Sequence, residues 1–80
     1  MAKTTEITRF GEKLHKLRKA NGYTMQALAA KLKYASHGWI SEIETGKRQP
    51  SIEFTVRISR LFDVTTDALL KDELDVTLPD

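Results

Sequence analysis

The stretch Ser36-His37-Gly38-Trp39-Ile40-Ser41-Glu42-Ile43-Glu44-Thr45-Gly46-Lys47-Arg48-Gln49-Pro50-Ser51 constrains this chain more than any other. Ser36 is a helix N-cap residue, Ile40 and Ile43 share one helical face, and Gly46 tolerates the left-handed backbone of a helix end. Two cations, Lys47 and Arg48, follow, and Pro50-Ser51 opens another helix. Just upstream, Thr24 caps a helix carrying Leu28 and Leu32 four residues apart, with Ala29 as a small contact beside them. Lys33-Tyr34-Ala35 is the turn between the two helices. Amphipathic helices this short bury their apolar faces only against other helices, so the chain reads as a helical bundle.

The remaining segments supply those helices. Phe10, Leu14 and Leu17 recur at helical spacing and predict helix 1 over residues 8–20, with Thr8 as cap and Glu12 in its first turn. Lys13, Lys16 and Lys19 are expected on its wet faces, and Asn21-Gly22 ends it. After Ser51, Ile52, Thr55, Val56, Ile58, Leu61 and Phe62 form the apolar stripe of helix 4, which Asp63-Val64 breaks. Thr65 caps a short helix 5 that buries Leu69 and Leu70. Leu74, Val76 and Leu78 alternate with polar residues, a period-2 pattern that predicts a short strand or a frayed end.

The net charge of +2 hides an asymmetry. All 13 Lys and Arg fall in residues 1–71, against seven acids, while residues 72–80 carry four acids and no cation. A basic body with an acidic tail suits a polyanionic partner. At 80 residues the chain is one small domain. The absence of Cys removes disulfides and thiolate metal sites and suits the cytoplasm. No apolar run approaches a membrane span or a leader, so no membrane partner is expected. His15 and His37, the only His, have no ligand-spaced neighbours, so no metal, cofactor or catalytic set is expected and the chain does not read as an enzyme.

Leu17-Arg18, Gly22, Thr24, Leu28-Ala29, Leu32, Ser36, Ile40-Ser41, Ile43-Glu44, Gly46-Lys47, Pro50-Ser51, Val64 and Asp67-Leu69-Leu70 occur in an order and spacing that resembles the XRE family, the Cro and phage-repressor type of helix-turn-helix transcriptional regulator. The resemblance covers about three quarters of the chain, Phe10 to Leu70. It implies an all-α, compact five-helix bundle in which helix 3, about residues 36–45, enters the major groove. It also implies an ion pair between Arg18 and Glu44. On this reading residues 1–7 are a flexible N-terminal arm, residues 8–71 the DNA-binding domain, and residues 72–80 an acidic tail and candidate dimerisation segment. Two positions depart from the family pattern. The turn at Lys33-Tyr34-Ala35 is one residue longer and lacks its Gly, and Met25 stands where many members carry a phosphate-contacting Gln.

A recognition helix presents its N-terminal side chains to base edges. His37, Gly38, Ser41 and Glu42 project away from Ile40 and Ile43 and are the candidate base readers. Imidazole donates to guanine, a carboxylate accepts from cytosine N4, a hydroxyl does either, and Gly permits close approach. Thr24, Met25, Lys33, Trp39, Lys47 and Arg48 are the candidate backbone contacts, because cations beside helix N-termini hold phosphate. Trp39 is expected half-buried, with only its edge free. A single helix reads few base pairs, so a homodimer on a palindromic operator is expected, acting as a repressor and with no small-molecule effector evident. The alternative is a protein-interaction module, such as an antitoxin, with a weakened DNA face.

Overall fold

The computed structural model describes residues 7–33 and 37–79. The arm expected over residues 1–7 therefore lies outside them except for Ile7, as do Tyr34 and Ala35 of the turn and the cap Ser36. The described residues form five helices: α1 (Phe10–Ala20), α2 (Met25–Leu32), α3 (His37–Glu44), α4 (Ile52–Phe62) and α5 (Thr66–Leu70). Helix α1 packs on α3 and α5, α2 on α3, and α4 on α5. Their apolar faces meet in one core of Phe10, Leu14, Leu17, Leu28, Ala29, Leu32, Ile40, Ile43, Phe54, Ile58 and Leu69.

Local chemistry sets most helix ends. The side chains of Thr24, Ser51 and Thr65 accept the backbone N–H groups of Ala27, Phe54 and Ala68, each at 3.0 Å. At the other ends Gly22 and Gly46 take φ of 76° and 83°. There Tyr23 N–H donates to Arg18 and Lys47 N–H to Glu42, closing orphan carbonyls. Lys33 and Asp63 adopt the same left-handed geometry without being Gly, at φ 52° and 54°. The Arg57 guanidinium compensates at α2 by donating to the Leu32 carbonyl at 2.6 Å, which ties the end of α2 to α4.

Four expectations are corrected. The first concerns Thr8, which does not cap α1. The N-cap is Arg9, which makes no side-chain cap bond. Asp72 takes the role: its carboxylate accepts the N–H of Thr8 at 3.2 Å and of Arg9 at 3.1 Å, and the Thr8 hydroxyl also donates to it. A carboxylate is a stronger acceptor than a hydroxyl and suits the positive end of the helix dipole.

Lys13 is not solvated. It is 1% exposed and donates from Nζ to the carbonyls of Ala68 and Lys71, both at 2.7 Å. Helix α5 is only five residues long, and its terminal carbonyls, pressed against α1, need a donor that water cannot supply. Burial holds the Lys13 amine below the ordinary lysine range.

The alternating tail forms no strand among the described residues. Arg9 holds it by backbone and side chain: Nη1 donates to the Asp72 carbonyl at 2.6 Å, and Nη2 pairs with the Asp75 carboxylate at 2.7 Å. Asp72 and Asp75 thus face α1, and Val76 packs on the core. Finally, Ile52 does not join the apolar stripe of α4. It is 86% exposed, because it lies two residues, about 200° of helix, before the buried Phe54.

Candidate nucleic-acid interface

Helices α2 and α3 are fixed from beneath. Ile40 and Ile43 are fully buried, so α3 presents the side that carries His37, Ser41 and Glu42. His37 is exposed, while Gly38, Ser41 and Glu42 are half-buried. The level of α3 against α1 depends on Gly11, which sequence reading did not single out. A Cβ at Gly11 would stand 2.5 Å from the Ile43 carbonyl oxygen and 2.6 Å from that of Glu44. Its only sequence signal is a glycine inside an otherwise helical pattern.

Arg18 and Glu44 form a two-bond pair, Nε to Oε2 at 2.6 Å and Nη2 to Oε1 at 3.1 Å, with side chains 8% and 4% exposed. Arg18 Nη1 also donates to the Tyr23 carbonyl at 3.0 Å, and His15 Nδ1 lies 2.9 Å from Glu44 Oε1. The cluster fastens the end of α3 to α1 and to the entry of α2. His15 was also missed, although it sits one helical turn before Arg18.

The candidate phosphate contacts fall into separate groups. Thr24 is exposed at the start of α2. Its oxygen accepts from Ala27, which leaves the hydroxyl hydrogen to donate outward. Met25, next to it, is half-buried and packs against the core. Lys33 closes the far end of α2, about 12 Å of helix away, too far to share one anion with Thr24.

Trp39, Glu42 and Arg48 come together. The Trp39 ring is half-buried, edge-on to Phe54 with centroids 5.3 Å apart. The Arg48 guanidinium carbon lies 5.6 Å from the Trp39 ring centre. Arg48 Nε donates to Glu42 Oε1 at 2.8 Å, and both side chains stay about half exposed. Lys47, beside them, is exposed. The arrangement places exposed cations, Lys47 and Arg48, in the turn that follows α3. Among the described residues no group of His, Asp or Glu could hold a metal, and no helix is long and apolar enough to cross a membrane.

Known proteins share this architecture. The helix-turn-helix domain family matches residues 9–72. The HTH-type transcriptional activator BcrR of Enterococcus faecalis is 44% identical over 69 residues, which are 86% of this chain and 33% of that protein. A prophage-derived HTH-type transcriptional regulator of Bacillus subtilis, YonR, is 37% identical over 78% of this chain and 56% of its own length. The chain thus spans a third to just over half the length of these curated relatives. The N-terminal DNA-binding domain of SinR from Bacillus subtilis superposes with a TM-score of 0.73 at 32% identity, over 81% of this chain and 94% of that domain. A chain of the SinR/SinI protein complex matches with the same score over 80% of this chain and 62% of its own length. These likenesses favour a DNA-binding regulator over the interaction-module alternative.

Proposed function

The chain belongs to the XRE family of helix-turn-helix transcriptional regulators, and from that premise we propose that it binds a palindromic DNA operator as a homodimer with α3 in the major groove. That it is a DNA-binding regulator and not an enzyme follows from its family. The carrying observation for the finer reading is the side of α3 opposite the buried Ile40 and Ile43, with Lys47 and Arg48 in the turn that directly follows it. His37, Gly38 and Ser41 meet base edges, with Glu42 beside them. Thr24, Lys33, Lys47 and Arg48 meet phosphates, and the edge of Trp39 meets a sugar or a thymine methyl. Met25 contributes its backbone N–H at the start of α2 and no side-chain bond.

Two copies would read half-sites about 34 Å apart. Ile52, Leu74 and Leu78 are the exposed large apolar side chains among the described residues, and they favour self-association through α4 and the tail. The protein acts in the cytoplasm, and it represses by covering promoter DNA, a mode that needs no second surface. A reporter carrying the selected operator reads the sign directly.

The test is binding to duplexes selected from a random pool. Lys47→Ala and Arg48→Ala weaken binding to all sequences alike and flatten the salt slope by about one unit per lost phosphate contact. His37→Ala relaxes preference at one base position. Equal loss of selectivity from all three variants sinks the assignment. Leu74→Asp with Leu78→Asp, read by analytical ultracentrifugation, tests the dimer without removing Asp72 from the start of α1.

A further inference from the structure

Glu42 is a charge of the wrong sign on a surface read as meeting phosphate. Its position in the structure supplies a role other than base reading. Its carboxylate takes the Nε–H of Arg48 at 2.8 Å across the Gly46 turn. The same guanidinium lies over Trp39, and Trp39 is anchored through Phe54, which is fully buried and in turn packs on Phe10. The backbone closes the same loop, since the N–H groups of Lys47 and Arg48 both donate to the Glu42 carbonyl at 2.8 and 3.2 Å. A flexible side chain is thus held at two points, and its backbone at a third. The bond to Glu42 uses only Nε, so both Nη groups are without a protein partner among the described residues.

Resting on the operator-binding reading above, we propose that Glu42 is a positioning and selectivity residue that acts on DNA through Arg48. Held by its Nε, the guanidinium offers its two Nη groups to one phosphate in one orientation, as planar recognition requires. In the registered complex that orientation offsets the repulsion between Glu42 and the backbone. On random DNA the guanidinium meets phosphates in many orientations, and the repulsion stands uncompensated. Glu42 therefore weakens non-specific binding more than operator binding. Selectivity is the ratio of the two.

The experiment uses the full chain, a random-sequence duplex and a duplex selected by the wild-type protein from a random pool. Glu42→Gln keeps an acceptor for Nε but removes the charge. It is expected to tighten binding to the random duplex about three- to ten-fold and steepen its salt slope by about one unit. Binding to the selected duplex changes less, and the base preference at every position stays the same. Arg48→Lys keeps the charge but loses the fork. It lowers the operator-to-random ratio by itself, and adding Glu42→Gln to it then changes the ratio little. The proposal is overturned if Glu42→Gln alters preference at one base pair while leaving random binding untouched, which makes Glu42 a direct base reader. Unchanged binding to both duplexes, or a full-sized effect on the operator-to-random ratio in the Arg48→Lys background, also overturns it. A wild-type protein that selects no duplex overturns the operator reading itself, and this inference with it.

Discussion

Asp72 closes the start of α1 at its N-cap Arg9: its carboxylate accepts the Arg9 N–H at 3.1 Å from 63 residues further along the chain. The start of α1 is therefore completed by the tail that follows α5. Asp72→Ala is expected to lower the thermal midpoint by about 4–8 °C, the usual effect of losing a cap in a domain of this size. Hydrogen bonds from Thr8 hold the Asp72 carboxyl below the usual aspartate range, and the bond from Arg9 does the same for Asp75. For carboxyls so depressed, the stabilisation is fully present above the unfolded aspartate value of about 3.9 and is lost as pH falls through the lower folded values. Acid unfolding followed by circular dichroism should show a shallower pH dependence in Asp72→Asn than in wild type.

Gly11→Ala tests the close approach of α1 and α3. In an open helix this change stabilises by about 0.5–1 kcal/mol. Here the new Cβ meets two backbone oxygens, of Ile43 and Glu44, inside 3 Å, and backbone cannot swing aside. A net loss of about 1–3 kcal/mol is expected in urea denaturation, as for overpacking elsewhere. A neutral or stabilised variant would show that the two helices separate freely.

Lys13→Met keeps the buried stem and removes the amine. The carbonyls of Ala68 and Lys71 then lose their donor, and the expected loss is about 1–3 kcal/mol, with α5 the first element to exchange its amide hydrogens. Lys16→Met, on the exposed side of the same helix, is the control and should change stability by less than about 0.5 kcal/mol.

Arg18→Ala or Glu44→Ala alone strands a buried charge and should cost about 3–5 kcal/mol. Removing both should cost clearly less than the sum of the two single losses. A double-mutant cycle with coupling near zero would mean that the joint between α1 and α3 is made by packing alone.

The helices were legible because their information is local. Leu28 and Leu32, Ile40 and Ile43, and the caps Thr24, Ser51 and Thr65 all act within a turn or two of themselves. Thr8 misled because its hydroxyl obeys the local rule until a stronger acceptor arrives from Asp72, and nothing near Thr8 in sequence announces that. Lys13 misled likewise, since its partners lie on α5 and only folding brings them together. Arg57 reaching Leu32 belongs to the same class. At the candidate interface, the placement of Glu42 and Arg48 near one another could be read from the chain. Their bond could not, because it depends on the left-handed turn at Gly46 and on the ring of Trp39 beneath.

Trp39 is the chain's single tryptophan, and it stands between Phe54 in the core and Arg48 on the surface. The protein therefore carries an intrinsic fluorophore at the seam between its interior and its candidate DNA face. Unfolding frees the indole from Phe54 and shifts its emission to the red. An anion bound by the Arg48 guanidinium alters the charge over the indole and so the emission intensity, while the core stays intact. Wavelength and intensity thus separate loss of structure from engagement of the surface, in unlabelled protein and in a single cuvette.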